Sequence, residues 1–312
     1  MSTTDLTRAG DILPTVTRET VLSDADLAAL RRAVAALERP SLAARLSAAA
    51  GAPLDIIGRS LPAPVTEAVS RSTEAAMRVA LRVALATLPR KALAPTSDDA
   101  LGAATAKAAS RMTRLLGSGD AKHKALAALS GAVGGAFGLT TLAVELPVST
   151  TLMLRSIAEI AREEGEDLET PEGALACVQV FALSGRTSAA TEAGSALTES
   201  GYFAVRAALA KTLAEAARYA GSKTLLDQSA PALIRFTAQI AARFGLVVSQ
   251  KVAAQTVPIL GAFGGAAVNT AFMNHFQATA HAHFTVRRLE RTYGEPAIRA
   301  AYEVEKAALG TA

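Results

Sequence analysis

Apolar positions recur every three or four residues along most of this chain, and this spacing predicts a protein built from helices. One predicted helix, residues 65–88, shows the pattern clearly, because its large apolar side chains share one face. The members of that face are Met77, Leu81, Leu85 and Leu88. We expect this face to contribute to the core.

Further helices are predicted from residues that cap helix ends. Ser23 precedes a periodic segment with acidic residues in its first turn. Thr170 precedes Pro171 at the start of another segment, which ends near Gly185. The other predicted helices are 202–219, 230–245, a helix up to Leu116, two short helices within 41–64 and a last helix opened by Glu295-Pro296.

Two long uncharged runs raise the question of a membrane. Residues 125–144 and 252–274 carry no charge over 20 and 23 residues, which is enough to cross a bilayer. Many of their residues are small, however, and glycines spaced by four, such as Gly131 and Gly135, allow helix axes to approach closely. We therefore predict packed helical hairpins rather than simple spans.

The two runs also suggest an internal repeat with an offset of 129 residues. Each copy has a basic start, a Gly-rich stretch, a long helix and a glycine at its end. The aligned pairs are Lys122 with Lys251, Gly135 with Gly264, Ile157 with Val286, Ile160 with Leu289, Arg162 with Arg291 and Gly165 with Gly294. Two such hairpins packed together would hide both Gly-rich runs from water.

These patterns predict an all-α fold: a single large multi-helix domain containing two Gly-rich apolar helical hairpins. The composition agrees, because only 4% of the residues are aromatic and there is no Trp, which favours helices packed through small side chains. We predict a flexible arm over 1–22 and one helical domain over 23–312. Within that domain, 23–118 form the N-terminal helices and 119–312 form the Gly-rich hairpin core.

Charge is unevenly distributed, although the net charge is only +4. Residues 59–124 contain 11 Lys and Arg against 5 Asp and Glu, whereas 145–172 contain 2 against 8. The basic segment is suited to an anionic partner, but it lacks the interleaved aromatic residues of a single-strand binder and any DNA-binding motif. We therefore expect a membrane surface or lipid as partner, and no nucleic acid.

An arginine stripe on the predicted helix 65–88 has two interpretations. Arg71, Arg78 and Arg82 share a narrow part of its surface, where they are candidates for contact with a membrane. Glu67 and Glu74 lie four residues before the first two arginines, which is the favourable order for helical ion pairs. A solvated, salt-bridged face is therefore the simpler interpretation.

Glu145 interrupts an apolar stretch just before Pro147. A buried carboxylate needs a partner, for which Arg155 or a histidine is a candidate. Three interpretations remain open: a buried lock between the hairpins, a ligand-binding or catalytic carboxylate, or a group exposed at a helix break.

The histidines do not predict a metal site. His275, His281 and His283 lack the four-residue spacing that places two ligands on one helix face, and the chain contains no zinc or calcium motif. No cofactor is predicted either. His283 forms a four-residue ladder with Arg287 and Arg291, which is typical of cations near a helix C-terminus.

Several segments resemble the bacterial EcsC family, above all "VELPV…TLMLRSIAEIA" and "HFTVRRLERTYG", and the agreement extends over about residues 37–300. The resemblance implies a helical, rather hydrophobic protein with no established reaction, named after a protein encoded beside an ABC transporter. An ABC transporter component is therefore a candidate partner. The family-like positions are Glu145, Pro147, Arg155, Pro258, Asn269, His275, Arg287 and Arg288.

From these positions we nominate an interior polar cluster as the ligand-binding site, consisting of Glu145, Arg155, Asn269 and His275. The leading hypothesis is a non-catalytic protein that associates peripherally with the cytoplasmic membrane or holds a lipid-like apolar ligand. The alternatives are a peptidase-like hydrolase that uses Glu145 and His275 as catalytic groups, and a protein–protein interaction module. One cysteine and no apolar signal segment favour a cytoplasmic location, at the inner face of the membrane. The oligomeric state stays open.

Overall fold

The computed structural model describes residues 22–38, 45, 61–88, 92–93, 142–183, 201–222, 225–256 and 264–310. Within these residues the chain forms eight helices, which confirms the all-α class. They are α1 (Asp24–Leu37), α2 (Ala63–Leu85), α3 (Leu142–Glu163), α4 (Pro171–Leu183), α5 (Gly201–Ser222), α6 (Pro231–Thr256), α7 (Gly264–Tyr293) and α8 (Glu295–Gly310). A short parallel pairing of β1 (Ala92–Leu93) with β2 (Leu225–Leu226) is added to them.

The predicted helix starts at Ser23 and Thr170 are confirmed. The Ser23 hydroxyl accepts a hydrogen bond from the backbone N–H of Asp26 at 3.2 Å. The Thr170 hydroxyl accepts one from the N–H of Gly173 at 3.2 Å, so each side chain satisfies an N–H group that the first turn leaves open.

The predicted end of α6 is wrong. The pattern placed its last residue at Gly245, but the helix continues to Thr256. The valines beyond the glycine have a low helix propensity, yet Val247, Val248 and Val252 are buried. Their burial against neighbouring helices outweighs the weak local preference.

Helices α3 and α7 form a parallel pair. The side-chain hydrogen bonds between them join residues 121 to 124 positions apart along the whole length, from Glu145 with Asn269 to Glu164 with Arg288. A constant offset of this kind requires the two helices to run in the same direction. In addition, α2 packs against α3, α4 and α6, while α7 packs against α1 and α8.

The core between α4, α6 and α7 contains a cluster of phenylalanine rings. Ring centroids lie 5.1 to 6.1 Å apart, mostly in edge or tilted arrangements, which are favourable for aromatic pairs. The rings belong to Phe181, Phe244, Phe272 and Phe276. All four side chains are buried, so this cluster fixes the helices around it.

Several predicted features lie outside the described residues: the arm over 1–21, most of the short helices in 41–64, the helix up to Leu116, most of the first Gly-rich run and residues 257–263 of the second. The internal repeat is not confirmed. One of its aligned pairs does share a conformation, since Gly165 and Gly294 follow α3 and α7 with φ of 73° and 89°. Glycine adopts this left-handed conformation at a helix end without steric penalty.

Candidate functional site

A buried ion cluster joins the start of α3 to the end of α6 and the start of α7. Glu145 Oε1 accepts a hydrogen bond from Lys251 Nζ at 2.7 Å and a longer one from Asn269 Nδ2 at 3.3 Å. The Lys251 ammonium also lies 5.2 Å from the ring centroid of Phe272. Only 1% of the Lys251 side chain and 8% of the Glu145 side chain are exposed, so both charges have left water.

The predicted partner of Glu145 is therefore wrong. Arg155 and the histidines were the candidates, but the cation is Lys251. The reason is the extra length of α6, which carries Lys251 in a helix six residues beyond its predicted end. A signal was available in the sequence, because Lys251 is the lone charge directly before the 23-residue uncharged run.

The structure does not assemble the four nominated ligand-binding residues into one cluster. Glu145 and Asn269 meet, whereas Arg155 lies ten residues further along α3, about 15 Å along its axis. His275 is partly buried on α7, with its ring centroid 5.5 Å from that of Phe276. Within the described residues, the hydrogen bonds of Glu145 go to Lys251 and Asn269, so the Glu145–His275 pair of the hydrolase alternative lacks a direct hydrogen bond there.

The last turns of α7 form a basic end, which we define as Arg287, Arg288 and Arg291. Its arginines bind the acidic segment that follows α3: Arg287 and Arg291 donate to Glu166, and Arg288 donates to Glu164 at 2.9 Å. Burial of Glu166 opposes its charged form, but these two arginines outweigh that effect and lower its pKa. The basic end of α7 thus neutralises part of the acidic segment 145–172.

Asp26 on α1 extends this network. It accepts hydrogen bonds from Tyr293 at 2.7 Å and from Arg288 at 3.0 Å, besides that from the Ser23 hydroxyl. These hydrogen bonds, the one from Tyr293 first, lower the pKa of Asp26 to about 2. Helix α1 is therefore tied to the C-terminal end of α7.

His283 is not the cation that its four-residue ladder with Arg287 and Arg291 predicted. It is fully buried, and its Nδ1 forms a 2.8 Å hydrogen bond with the Tyr202 hydroxyl. Burial, and then the positive charges of Arg206 and Arg287, lower its pKa well below the ordinary value, so the ring is neutral. Periodicity alone could not show that this position faces α5.

An amphipathic surface is formed where α2 and α6 lie side by side. On α6, four exposed apolar residues share one stripe because they are spaced by four. They are Ile234, Ala238, Ala242 and Leu246, of which Ile234 is 52% and Leu246 is 44% exposed. We call these four residues, together with Arg78 and Arg82 of α2, the α2–α6 surface.

The arginines of the predicted stripe border this surface. Arg78 and Arg82 line a half-open groove of about 320 Å³, whose apolar wall includes Ile234 and Ala238. Arg71 lies further along α2 and pairs with Glu67, which agrees with the salt-bridged interpretation for that residue. Contact of these arginines with a membrane stays a prediction.

Two further features concern metal binding and membrane spanning. Among the residues that the structure describes, no group of three or more histidine, cysteine or acidic side chains is placed to hold a metal ion. In the same part of the chain, Pro231–Ala254 is the one helix long and apolar enough to cross a membrane, and 44% of its most apolar window is buried inside the protein.

The fold and these sites define an all-α protein with a buried ion cluster and an exposed amphipathic surface. A sequence model of the EcsC protein family matches residues 24–289, and the chain therefore belongs to that family. No curated protein and no solved structure matches the chain.

Proposed function

We propose that this EcsC-family protein binds peripherally to an anionic membrane through the α2–α6 surface and does so without catalysing a reaction. The observation that carries the proposal is the exposed apolar stripe of α6 beside Arg78 and Arg82. A stripe of this kind is suited to the boundary between headgroups and acyl chains, while the neighbouring arginines are suited to anionic headgroups. The cytoplasmic face is the expected side.

The buried side of α6 favours peripheral binding over a transmembrane position. Its residues at 236, 240, 244 and 248 are fully buried and are also spaced by four, so they form a second apolar stripe. Two of them, Phe236 and Phe244, are large aromatic residues. Insertion of α6 across a bilayer would remove this stripe from the core, whereas binding at the interface leaves it in place.

The charges around this surface set its expected affinity. Arg235 is also exposed on α6, where it pairs with Glu215 at 2.9 Å, and Glu74 lines the groove together with Arg78 and Arg82. An arginine near an anionic leaflet contributes about 1 kcal/mol, so the contribution of Arg78 and Arg82 together is about 2 kcal/mol. Because Ile234 and Leu246 are already about half-buried, complete burial would add roughly 0.7–1.5 kcal/mol each. Binding should be reversible and sensitive to salt.

Flotation with liposomes tests the electrostatic part of the proposal. We expect the protein to float with vesicles that contain phosphatidylglycerol, to float poorly with pure phosphatidylcholine, and to be released at high salt. The double variant Arg78→Gln/Arg82→Gln should bind about 30-fold more weakly, which corresponds to about 2 kcal/mol. The control Arg32→Gln/Arg218→Gln removes the same charge from exposed positions elsewhere and should bind almost normally.

A second pair of double variants tests the contribution of the apolar stripe to membrane binding. Ile234→Ser/Leu246→Ser should weaken flotation, while Val304→Ser/Leu309→Ser removes exposed apolar side chains of α8 and should not. Equal loss in both pairs would mean that general hydrophobicity, not the α2–α6 surface, drives binding. Failure of the unmodified protein to float with anionic vesicles would contradict the proposal. An ABC transporter component as partner stays a prediction.

A further inference from the structure

A second cavity lies on the other side of α2, between that helix, α3 and α4. Its volume is about 300 Å³, and it is half open to solvent. It lies apart from the α2–α6 groove, because α2 contributes residues 83, 84 and 87 to the cavity and residues 74, 78, 81 and 82 to the groove. The cavity is therefore a separate candidate binding site.

Most of the cavity wall is apolar. Leu154 and Leu168 are buried, and so are Ala174 and Cys177 of α4. Burial raises the pKa of the Cys177 thiol to about 12, so this group is an uncharged, weakly polar part of the wall. A wall of this kind accepts hydrocarbon and offers little to a polar molecule.

The charged part of the wall comes from a single face of α3. Arg155, Glu159 and Arg162 follow one another at spacings of four and three residues, so all three lie along the same side of the helix. Arg155 is half-buried, and this loss of solvent lowers its pKa, while the charge of Glu159 acts in the opposite direction. Two guanidinium groups and one carboxylate leave a charge of +1 at the cavity.

Arg162 provides the more accessible of the two cations. It is exposed at the cavity, and it makes no ion pair with any residue of the part of the chain that the structure describes. Its neighbour Glu163 is exposed and does not line the cavity. The site thus combines an apolar pocket with a guanidinium group that is suited to an anion.

From this juxtaposition we propose that the cavity binds a monoanionic amphiphile with a single short chain, of the chemical class of medium-chain fatty acids. Arg155 and Arg162 hold the carboxylate, and the chain lies against the apolar wall that includes Leu154. A cavity of about 150 Å³ already accommodates benzene, so about 300 Å³ leaves room for a chain of about eight carbons. The single excess positive charge matches one carboxylate.

Isothermal titration with three small probes tests the proposal in the absence of any membrane. Octanoate supplies both chain and charge, 1-octanol supplies the chain alone, and acetate supplies the charge alone. We expect octanoate to bind at least about 10-fold more tightly than either of the others, because only octanoate satisfies both parts of the wall. Equal affinity for octanoate and octanol, or no binding of octanoate, would overturn the proposal.

Variants then place the binding in the cavity. Ala158→Phe fills it and should abolish octanoate binding, whereas Ala208→Phe adds the same side chain at an exposed position of α5 and should not. Arg162→Gln changes an exposed residue, so folding should be preserved while octanoate binding weakens about 10-fold and octanol binding is unchanged. Unaltered octanoate affinity in Arg162→Gln or Ala158→Phe would contradict the assignment.

The octanoate titration tests the cavity independently of the proposed membrane function. Arg78→Gln/Arg82→Gln should bind octanoate as the unmodified protein does, although it floats poorly with anionic vesicles. Failure of the cavity proposal would appear in the titrations alone, and failure of the membrane proposal in the flotation alone.

Discussion

Two charged clusters connect α3 to other helices at opposite ends, and they differ in their exposure to water. At the N-terminal end, the buried ion cluster joins Glu145 to Lys251, whose side chain is 1% exposed. At the C-terminal end, the basic end of α7 contacts Glu164 and Glu166 through arginines that are 22–43% exposed. The second cluster contains more ion pairs, and although the Glu166 side chain is only 7% exposed, water still reaches each of its arginines.

The comparison shows that the number of ion pairs in a cluster does not determine how strongly a substitution in that cluster lowers the stability of the fold. An exposed pair contributes little because water solvates its partners equally well when they are apart. A buried pair adds little net stability either, but removal of one partner leaves the other charged in an apolar environment. We therefore expect the single Lys251–Glu145 pair to respond more strongly to substitution than any pair of the basic end.

The largest effect is expected for Lys251→Met. The substitution leaves Glu145 buried without its cation, which should lower the free energy of unfolding by about 3–5 kcal/mol. Urea denaturation followed by circular dichroism measures the loss. The double variant Glu145→Gln/Lys251→Met removes both charges and should recover most of it. A loss below about 1 kcal/mol in the single variant would show that Glu145 is well solvated.

A smaller effect is expected for Gly173→Ala, which tests whether backbone packing holds the acidic segment in place. An added Cβ would lie 2.0 Å from the carbonyl oxygen of Asp167, so the segment must shift. We expect a loss of about 1–3 kcal/mol by the same denaturation assay. Gly221→Ala is the control, because its Cβ would meet Pro171 at an ordinary 3.7 Å. Equal stability of the two variants would contradict this packing.

Substitution within the basic end should have a smaller effect again. Arg287→Gln removes hydrogen bonds to Glu166, but Arg291 still donates to the same carboxylate at 2.6 Å. We expect a loss of about 1 kcal/mol, which 0.5 M NaCl should diminish. If the loss matched that of Lys251→Met, the contrast between the two clusters would be wrong.

The weakest effect is the acid dependence that Asp26 confers. Its pKa lies at about 2 in the folded protein, below its ordinary value of 3.8. Its stabilising contribution is therefore complete above pH 3.8 and is lost as the pH falls towards 2. Asp26→Asn should flatten this part of a plot of stability against pH. An unchanged slope between pH 4 and 2 would contradict the network around Tyr293.

Local sequence signals predicted the fold class and most helix starts, since caps such as Ser23 act on their own first turn. The end of α6 was missed, because it depends on burial of Val247 and Val248 against other helices. The need of Glu145 for a partner followed from elementary electrostatics. The identity of that partner did not, since Lys251 is 106 residues away in the sequence.

The sequence predicted the arginines of the α2–α6 surface, but not its apolar stripe. The arginine stripe follows from the spacing within α2 alone. The exposed stripe of α6 is uncharged like its buried stripe, although its side chains are smaller, so charge alone does not distinguish the two faces. Only the packing of α6 against its neighbours shows which face is left to solvent and that it lies beside Arg78.

The most direct test of the central claim is to place an environment-sensitive fluorophore at position 234. Ile234→Cys can be labelled selectively, because Cys177 is buried and its thiol has a pKa of about 12. On addition of phosphatidylglycerol vesicles, we expect a blue shift and a rise in intensity for the label at 234. The same label at the exposed Ala204→Cys of α5 should not respond. No shift at position 234, or an equal shift at both positions, would contradict the claim that the α2–α6 surface contacts the membrane.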